Sequence, residues 1–306
     1  MKCRVCRQPA VIDVRRHNAG FCRDCFLKHC HDQVARAIDD FSMFGPDDRI
    51  LVAVSGGKDS LALWDILVDL GYQADGLYLG LGIGEYSQSS ASYARDYAAR
   101  RGVTLIEVDI PAEFGFDIPS GARAAKRVPC SACGLSKRHL FNQAARDGGY
   151  GVLATGHNLD DEAAVLFGNV LRWELAYLGR QAPVLPATEG FARKVKPLIR
   201  LGERETAAYC VLSGIEYVVE ECPMAVGNKH LGYKDALNQI EVQSPGSKAA
   251  FYFSFLDRVS PLFTGVAEEE RQGLRPCAGC GSPTTGDWCA FCKLVSKASG
   301  HPGAAP

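Results

Sequence analysis

The stretch Ile50-Leu-Val-Ala-Val-Ser-Gly-Gly-Lys-Asp-Ser60 reads as a short buried strand that turns through two glycines into a helix. An unbroken apolar run suits a strand covered on both faces. The glycines let backbone N–H groups come close to an anion, and the start of the next helix favours negative charge. Lys58 adds a positive charge, and Ser55 and Ser60 add hydroxyl donors. The order strand, loop, helix therefore predicts a phosphate site on Ser55, Gly56, Gly57, Lys58, Asp59 and Ser60. It is not the Walker pattern, which needs G-x-x-x-x-G-K-[ST].

Working outward, a helix is expected from about residue 32 to 44, ended by Gly45-Pro46. Ser60 to Leu70 reads as a helix closed by Gly71. Further strands are expected at Ala74 to Leu79, Val103 to Ile110, Val152 to Thr155 and Glu216 to Glu220. Helices are expected at Ser89 to Arg101, Cys130 to Asp147 and Asp160 to Arg172, and over most of 229–260, with 111–129 irregular. Alternation of this kind implies an α/β fold, a doubly wound parallel sheet covered on both faces. Ala53, Leu79 and Gly156 stand at the ends of the first, second and fourth strands, and are expected to complete the nucleotide site.

Composition sets limits. The chain has 306 residues, 47% hydrophobic and 23% charged, with a formal net charge of -1. No global basic field advertises nucleic acid, so any such surface must be a local patch. No apolar run approaches the roughly 20 residues a membrane span needs. Met1-Lys2-Cys3 leads straight into a metal motif with no secretory signal, and a cytoplasmic location is expected. Thirteen cysteines, mostly as C-x-x-C pairs, then argue for metal or redox chemistry and against disulfides.

Cys3, Cys6, Cys22 and Cys25 form one complete four-thiolate set, and Cys277, Cys280, Cys289 and Cys292 a second. Each predicts one structural zinc with no open position, giving two Zn2+ per chain. Cys30, His17, His29 and His31 lie near the first set, but it is already full. The expected domains are a zinc knuckle over 1–32, a catalytic domain over 33–265, a second knuckle over 266–298, and a disordered tail over 299–306. Cys210, alone on an expected helix, reads as core, and Cys130, Cys133 and Cys222 remain. If strand ends share one edge with the phosphate loop, these three converge beside the nucleotide. Three thiolates leave a metal one open position, suiting zinc, copper(I) or an iron–sulfur cluster. A persulfide and disulfide pair is an equal alternative on spacing alone.

With these motifs together, the chain resembles the tRNA 2-thiouridine synthetases of the TtuA/Ncs6 group, within the PP-loop superfamily. The resemblance rests on both knuckles, Ser55–Ser60, Cys130-Ser-Ala-Cys133-Gly134, Thr155-Gly-His-Asn-Leu-Asp-Asp-Glu162, Cys222-Pro223 and Ser244-Pro-Gly-Ser-Lys248. It implies ATP-dependent 2-thiolation of a tRNA uridine or 5-methyluridine, with release of AMP and pyrophosphate. It further implies a [4Fe-4S] cluster on Cys130, Cys133 and Cys222, a ubiquitin-like sulfur carrier with a C-terminal thiocarboxylate, and a homodimer.

Within that frame, Asp59 or Asp160 and Asp161 are candidates to hold Mg2+. Asp161 is the choice for proton handling or metal positioning, and Lys137 for phosphate or developing negative charge. A plain helix cap competes for the aspartates, and a solvated helix face for Lys137. Two basic groups are candidates for tRNA phosphates: Arg123, Lys126, Arg127, Lys137 and Arg138, and the preferred run Arg193, Lys194, Lys196, Arg200 and Arg204. The competing functions are a PP-loop ligase or amidotransferase on a small molecule, and an inactive zinc-ribbon scaffold that binds RNA.

Overall fold

The computed structural model describes residues 1–225, 229–263 and 273–299. The N-terminal knuckle is a hairpin of β1 (Ile12–Val14) and β2 (Ala19–Phe21), joined by a 3-10 turn over Arg15–His17. Helix α1 (Arg23–Asp40) starts at Cys22 and runs on through residue 32, where a domain boundary was expected. One side of it is fully buried: Phe26, Cys30, Val34, Ala37 and Ile38, at helical spacing.

The central unit then alternates as expected. It runs β3 (Ile50–Val54), α2 (Lys58–Asp69), β4 (Ala74–Gly80), α3 (Gly84–Arg101) and β5 (Leu105–Asp109). Residues expected to be irregular hold two short helices, α4 (Ile110–Phe114) and α5 (Ile118–Ala124). Each is started by an aspartate two residues before a proline. Asp109 accepts from Ala112 N at 3.1 Å, and Asp117 from Ser120 N at 2.6 Å. Next come α6 (Pro129–Asp147), β6 (Val152–Thr155), α7 (Leu159–Arg172), α8 (Leu175–Leu178), β7 (Val184–Leu185) and β8 (Arg193–Val195). Helices α9 (Glu203–Ser213), α10 (Lys229–Gln243) and α11 (Ser247–Arg258) follow.

The sheet order is β5-β4-β3-β6-β8-β7, parallel except for the antiparallel edge strand β7. From β3 the chain builds outward to β4 and β5 on one side and to β6 on the other. The strand order thus reverses beside β3, where ligands bind in open α/β sheets. The strand expected at 216–220 is absent, because β8 takes the place next to β6. The 216–220 segment instead crosses the phosphate loop, with Val218 N donating to Gly56 O at 2.9 Å.

The second knuckle pairs β9 (Arg275–Pro276) with β10 (Pro283–Thr284) and ends in α12 (Ala290–Ser299). The charged linker at 268–273 falls mainly, and the expected disordered tail apart from Ser299 wholly, outside the described residues. Helix α12 packs on α5 and α6 through the buried Phe291 and Leu294. Phe291 stacks on His139 of α6 at 4.2 Å and meets Phe114 edge-on at 5.2 Å. That knuckle thereby braces the helix that carries Cys130 and Cys133. Among the described residues no helix is long and apolar enough to cross a membrane.

Candidate active site

The phosphate loop is tied by its own serines. Ser55 N donates to Ser60 Oγ at 3.0 Å, the two hydroxyls lie 3.2 Å apart, and Ser60 Oγ donates to Gly57 O at 2.9 Å. Gly57 caps α2 with no side-chain partner for the first N–H groups, which leaves them for an anion. Gly56 has φ +73°, a conformation that glycine enters without strain. Gly156, past β6, touches this turn so closely that a Cβ there would stand 2.9 Å from Ser60 N.

A cavity of about 280 Å3 opens over the loop at the sheet's switch point. Its wall includes Ala53, Ser55, Asp59, Ser60, Leu79, Lys137 and Gly156, all expected from the sequence. Tyr78, Tyr86, Ser90, Phe141, Thr155 and His157 join them. Lys58 belongs elsewhere. Its ammonium donates to Asp59 Oδ2 at 3.0 Å and Glu203 Oε1 at 2.8 Å, and it lines a larger cavity of about 500 Å3 toward α9. Burial opposes the charge on Glu203, but hydrogen bonds from Lys58 and Lys234 outweigh it and hold the carboxyl at about 2.

Asp59 is the hub. Its Oδ1 accepts from Asn158 Nδ2 at 3.1 Å and Thr206 Oγ1 at 2.5 Å. Burial pushes its carboxyl up, with Lys58 working against the rise. Asp160 and Asp161 do what helix starts ask of them. Asp161 closes a capping box with Asn158 and pairs with Lys234 at 2.6 Å. Asp160 pairs with Lys248 and accepts from Glu203 N at 2.8 Å. Neither aspartate is on the wall of the smaller cavity.

The cysteines fall into two geometries. Within each knuckle all four Sγ atoms lie within 4.8 Å of one another, with Cys6–Cys22 at 3.4 Å and Cys280–Cys289 at 3.7 Å. Tetrahedral zinc with Zn–S of about 2.3 Å puts thiolates about 3.8 Å apart, so both sets fit one ion. Cys130, Cys133 and Cys222 come together more loosely and form no group that tight. Cys130 Sγ donates to Met224 O at 3.2 Å, in the turn that Cys222 begins. Burial raises the Cys133 thiol, with Lys137 opposing and Cys222 and Cys130 adding to the rise. Tyr86, on the cavity wall, is pushed up by burial and then by Cys222 and Cys133. The trio therefore lies beside Tyr86 and Lys137, two residues of the cavity wall, although none of the three cysteines lines the cavity itself.

The basic groups are placed against expectation. The preferred run is largely committed inside the molecule: Arg193 to Met43 O at 3.1 Å, Lys196 to Glu162 at 2.7 Å, and Arg200 to Asp40. Burial lowers the Lys194 ammonium. Its charges support the fold, and Arg204 alone of the five is exposed. Arg123, Lys126 and Arg127, close in sequence to Cys130, are exposed.

This geometry defines a PP-loop nucleotide-binding protein. A PP-loop domain model matches residues 28–225, and the model for the N-terminal LIM domain of 2-thiouridine synthetase TtuA matches residues 2–27. The chain belongs to that family of 2-thiouridine synthetases. It is 51% identical over 294 residues to tRNA-5-methyluridine(54) 2-sulfurtransferase of Thermus thermophilus, covering 96% of this chain and 91% of the relative. It is 41% identical to the protein of the same name from Pyrococcus horikoshii, covering 96% and 93%. Among solved structures, the U34-tRNA thiolase NcsA from Methanococcus maripaludis, described with its [4Fe-4S] cluster, shares the fold at TM-score 0.78 and 23% identity, over 96% of this chain and 95% of that one.

Proposed function

We propose that this chain is an ATP-dependent tRNA sulfurtransferase that replaces the C2 oxygen of 5-methyluridine 54 by sulfur. The observation that carries the reading is one cavity lined by the phosphate loop, with three cysteines gathered next to its wall residues Tyr86 and Lys137. Relatives at 51% and 41% identity, named for position 54, favour it over the wobble position.

The C2 oxygen is a poor leaving group. Its lone pair attacks the α-phosphorus of ATP, the bond to the bridging oxygen breaks, and pyrophosphate departs. The open N–H groups at the start of α2, with Ser55 and Ser60, receive that anion. Lys137 on the cavity wall offsets developing negative charge. Among the described residues Asp59 is the only carboxylate on the cavity wall and is the candidate for Mg2+, which would compete with Lys58 for its Oδ2. A sulfur nucleophile then adds at C2, the C–O bond breaks, and AMP leaves. Cys130, Cys133 and Cys222 would hold a [4Fe-4S] cluster. When bound, the cluster supplies an iron free of protein ligands, suited to sulfide. The sulfur comes from a ubiquitin-like carrier with a C-terminal thiocarboxylate. The two four-cysteine sets hold Zn2+, the enzyme works as a homodimer, and its location is the cytoplasm.

Anaerobically purified protein should be brown, with about four irons per chain, and Cys222→Ala should lose that iron. Colourless protein that still thiolates tRNA would overturn the cluster and favour a persulfide route.

A further inference from the structure

His17 and His29 have no role in the full thiolate set of the first knuckle, yet the structure brings both to a third group. His17 ends the 3-10 turn of the hairpin, His29 sits on α1, and Glu205 lies in the first turn of α9. One ring nitrogen from each histidine and one carboxylate oxygen lie within 4.8 Å of one another. Both histidine Nε2 atoms are buried without a hydrogen-bond partner. His29 Nε2 stands 3.7 Å from Glu205 Oε1, too far for a hydrogen bond. The rings are fixed: His29 stacks on Phe21 at 4.9 Å, and His17 meets it edge-on at 5.3 Å.

The carboxylate has room left on Oε1. An ionised carboxylate offers about four lone-pair sites. Arg16 Nη2, which also donates to Arg200 O at 2.6 Å, shares its other hydrogen between the two oxygens at 3.0 and 2.7 Å, and Gly202 N adds a bond to Oε2 at 2.7 Å. The remaining site is on Oε1, the oxygen facing His29. One small cluster thus holds two histidines with buried, unpartnered ring nitrogens and a carboxylate oxygen with a free lone pair, and leaving them unpaired would be costly.

We propose that His17, His29 and Glu205 form a third metal site, for a late first-row divalent cation of the zinc type. Imidazole and carboxylate are ordinary ligands for such ions. Zinc with nitrogen and oxygen ligands needs them about 3.4 Å apart, so the His29–Glu205 pair at 3.7 Å needs little movement and the rest of the cluster at most about 1.4 Å. Arg16 and Gly202 N orient the carboxylate from outside, as outer partners do at metal sites. The Arg16 charge also makes this site weaker than the four-thiolate sets. A path exists, because Arg16 and Glu205 line the 500 Å3 cavity. The ion would staple the N-terminal hairpin to α9, beside the Glu203 and Thr206 contacts that hold Lys58 and Asp59.

The test titrates Zn2+ into full-length protein whose four-thiolate sites are already filled and whose excess metal has been removed, by calorimetry and by thermal melting. The wild type should bind one further Zn2+ per chain and melt at higher temperature once loaded. His29→Phe, which keeps the stack on Phe21, and separately His17→Phe should lose both effects while keeping the thiolate-bound zinc. The second variant keeps the test decisive if the first does not fold. No further zinc in the wild type, which would leave the pocket to water, or the same further zinc in both variants, would overturn the proposal.

Discussion

Gly56→Ala tests whether the phosphate loop is built as described, with Gly71→Ala as its control. Both glycines have positive φ, +73° and +87°. An L-residue pays about 1–2 kcal/mol for that conformation at either site. The surroundings differ. A Cβ at Gly71 meets nothing within 4 Å, whereas one at Gly56 collides with the Ser90 backbone, 2.8 Å from its carbonyl carbon and closer still to the oxygen. Ser90 is fixed inside α3, and its hydroxyl lies 2.7 Å from that of Tyr78, so the loop must yield. Overpacking of this kind costs about 1–3 kcal/mol. The displaced atoms are the ones that hold phosphate, and the cost should appear as about 5- to 150-fold weaker ATP binding. Calorimetry with ATP and Mg2+ on both variants reads it. Gly71→Ala should bind ATP as the wild type does. Equal affinity in the two variants, weakened or not, would refute the reasoning.

Three further outcomes follow from the same structure. Cys222→Ala should block thiolation yet leave ATP affinity within about twofold; a loss of nucleotide binding comparable to Gly56→Ala would make the cysteine trio a fold element. Total zinc should be two per chain after removal of loosely held metal, independent of iron. Cys22→Ala should lose one zinc and melt lower; a folded variant that keeps both zincs and loses only thiolation would contradict the structural role. Burial, then Arg146, lowers His139 to about 4. The unfolded chain therefore binds that proton more readily, and stability present above about pH 6.5 falls as the pH drops toward 4. Melting temperatures at pH 7 and 5 should fall less in His139→Phe than in the wild type; equal falls would show that the histidine is not buried against Phe291.

The sequence carried the sheet where burial is symmetrical. Ile50, Leu51 and Val52 are fully buried, and so unbroken an apolar run has few other readings. It misled at 216–220, where Tyr217-Val-Val219 has strand composition but Val219 lies exposed in a crossing segment. The strand actually used, Arg193-Lys-Val195, is two-thirds charged. Met43 O accepts from its arginine, a long-range partner that no local pattern reveals. The two short helices after β5 were missed, although Asp-Ile-Pro occurs at 109–111 and again at 117–119 and starts a capped helix each time. Seven of the sixteen residues of the cavity wall were expected: Ser55, Asp59 and Ser60 from the phosphate loop, Lys137, and Ala53, Leu79 and Gly156 from strand ends. The anchors were not: Thr206 on Asp59 and Glu203 on Lys58 join residues about 150 apart in sequence, a separation no periodicity or spacing rule bridges.

The central claim is that adenylation and sulfur insertion occur in one cavity on the same tRNA base. Anaerobic enzyme with tRNA, ATP, Mg2+ and a sulfide source, followed by nucleoside mass spectrometry mapped to position and by AMP quantification, tests it most directly. The account predicts 2-thio-5-methyluridine at position 54 with one AMP formed per sulfur inserted. AMP formation that needs no tRNA, or tRNA that gains no sulfur while ATP is consumed, would contradict it.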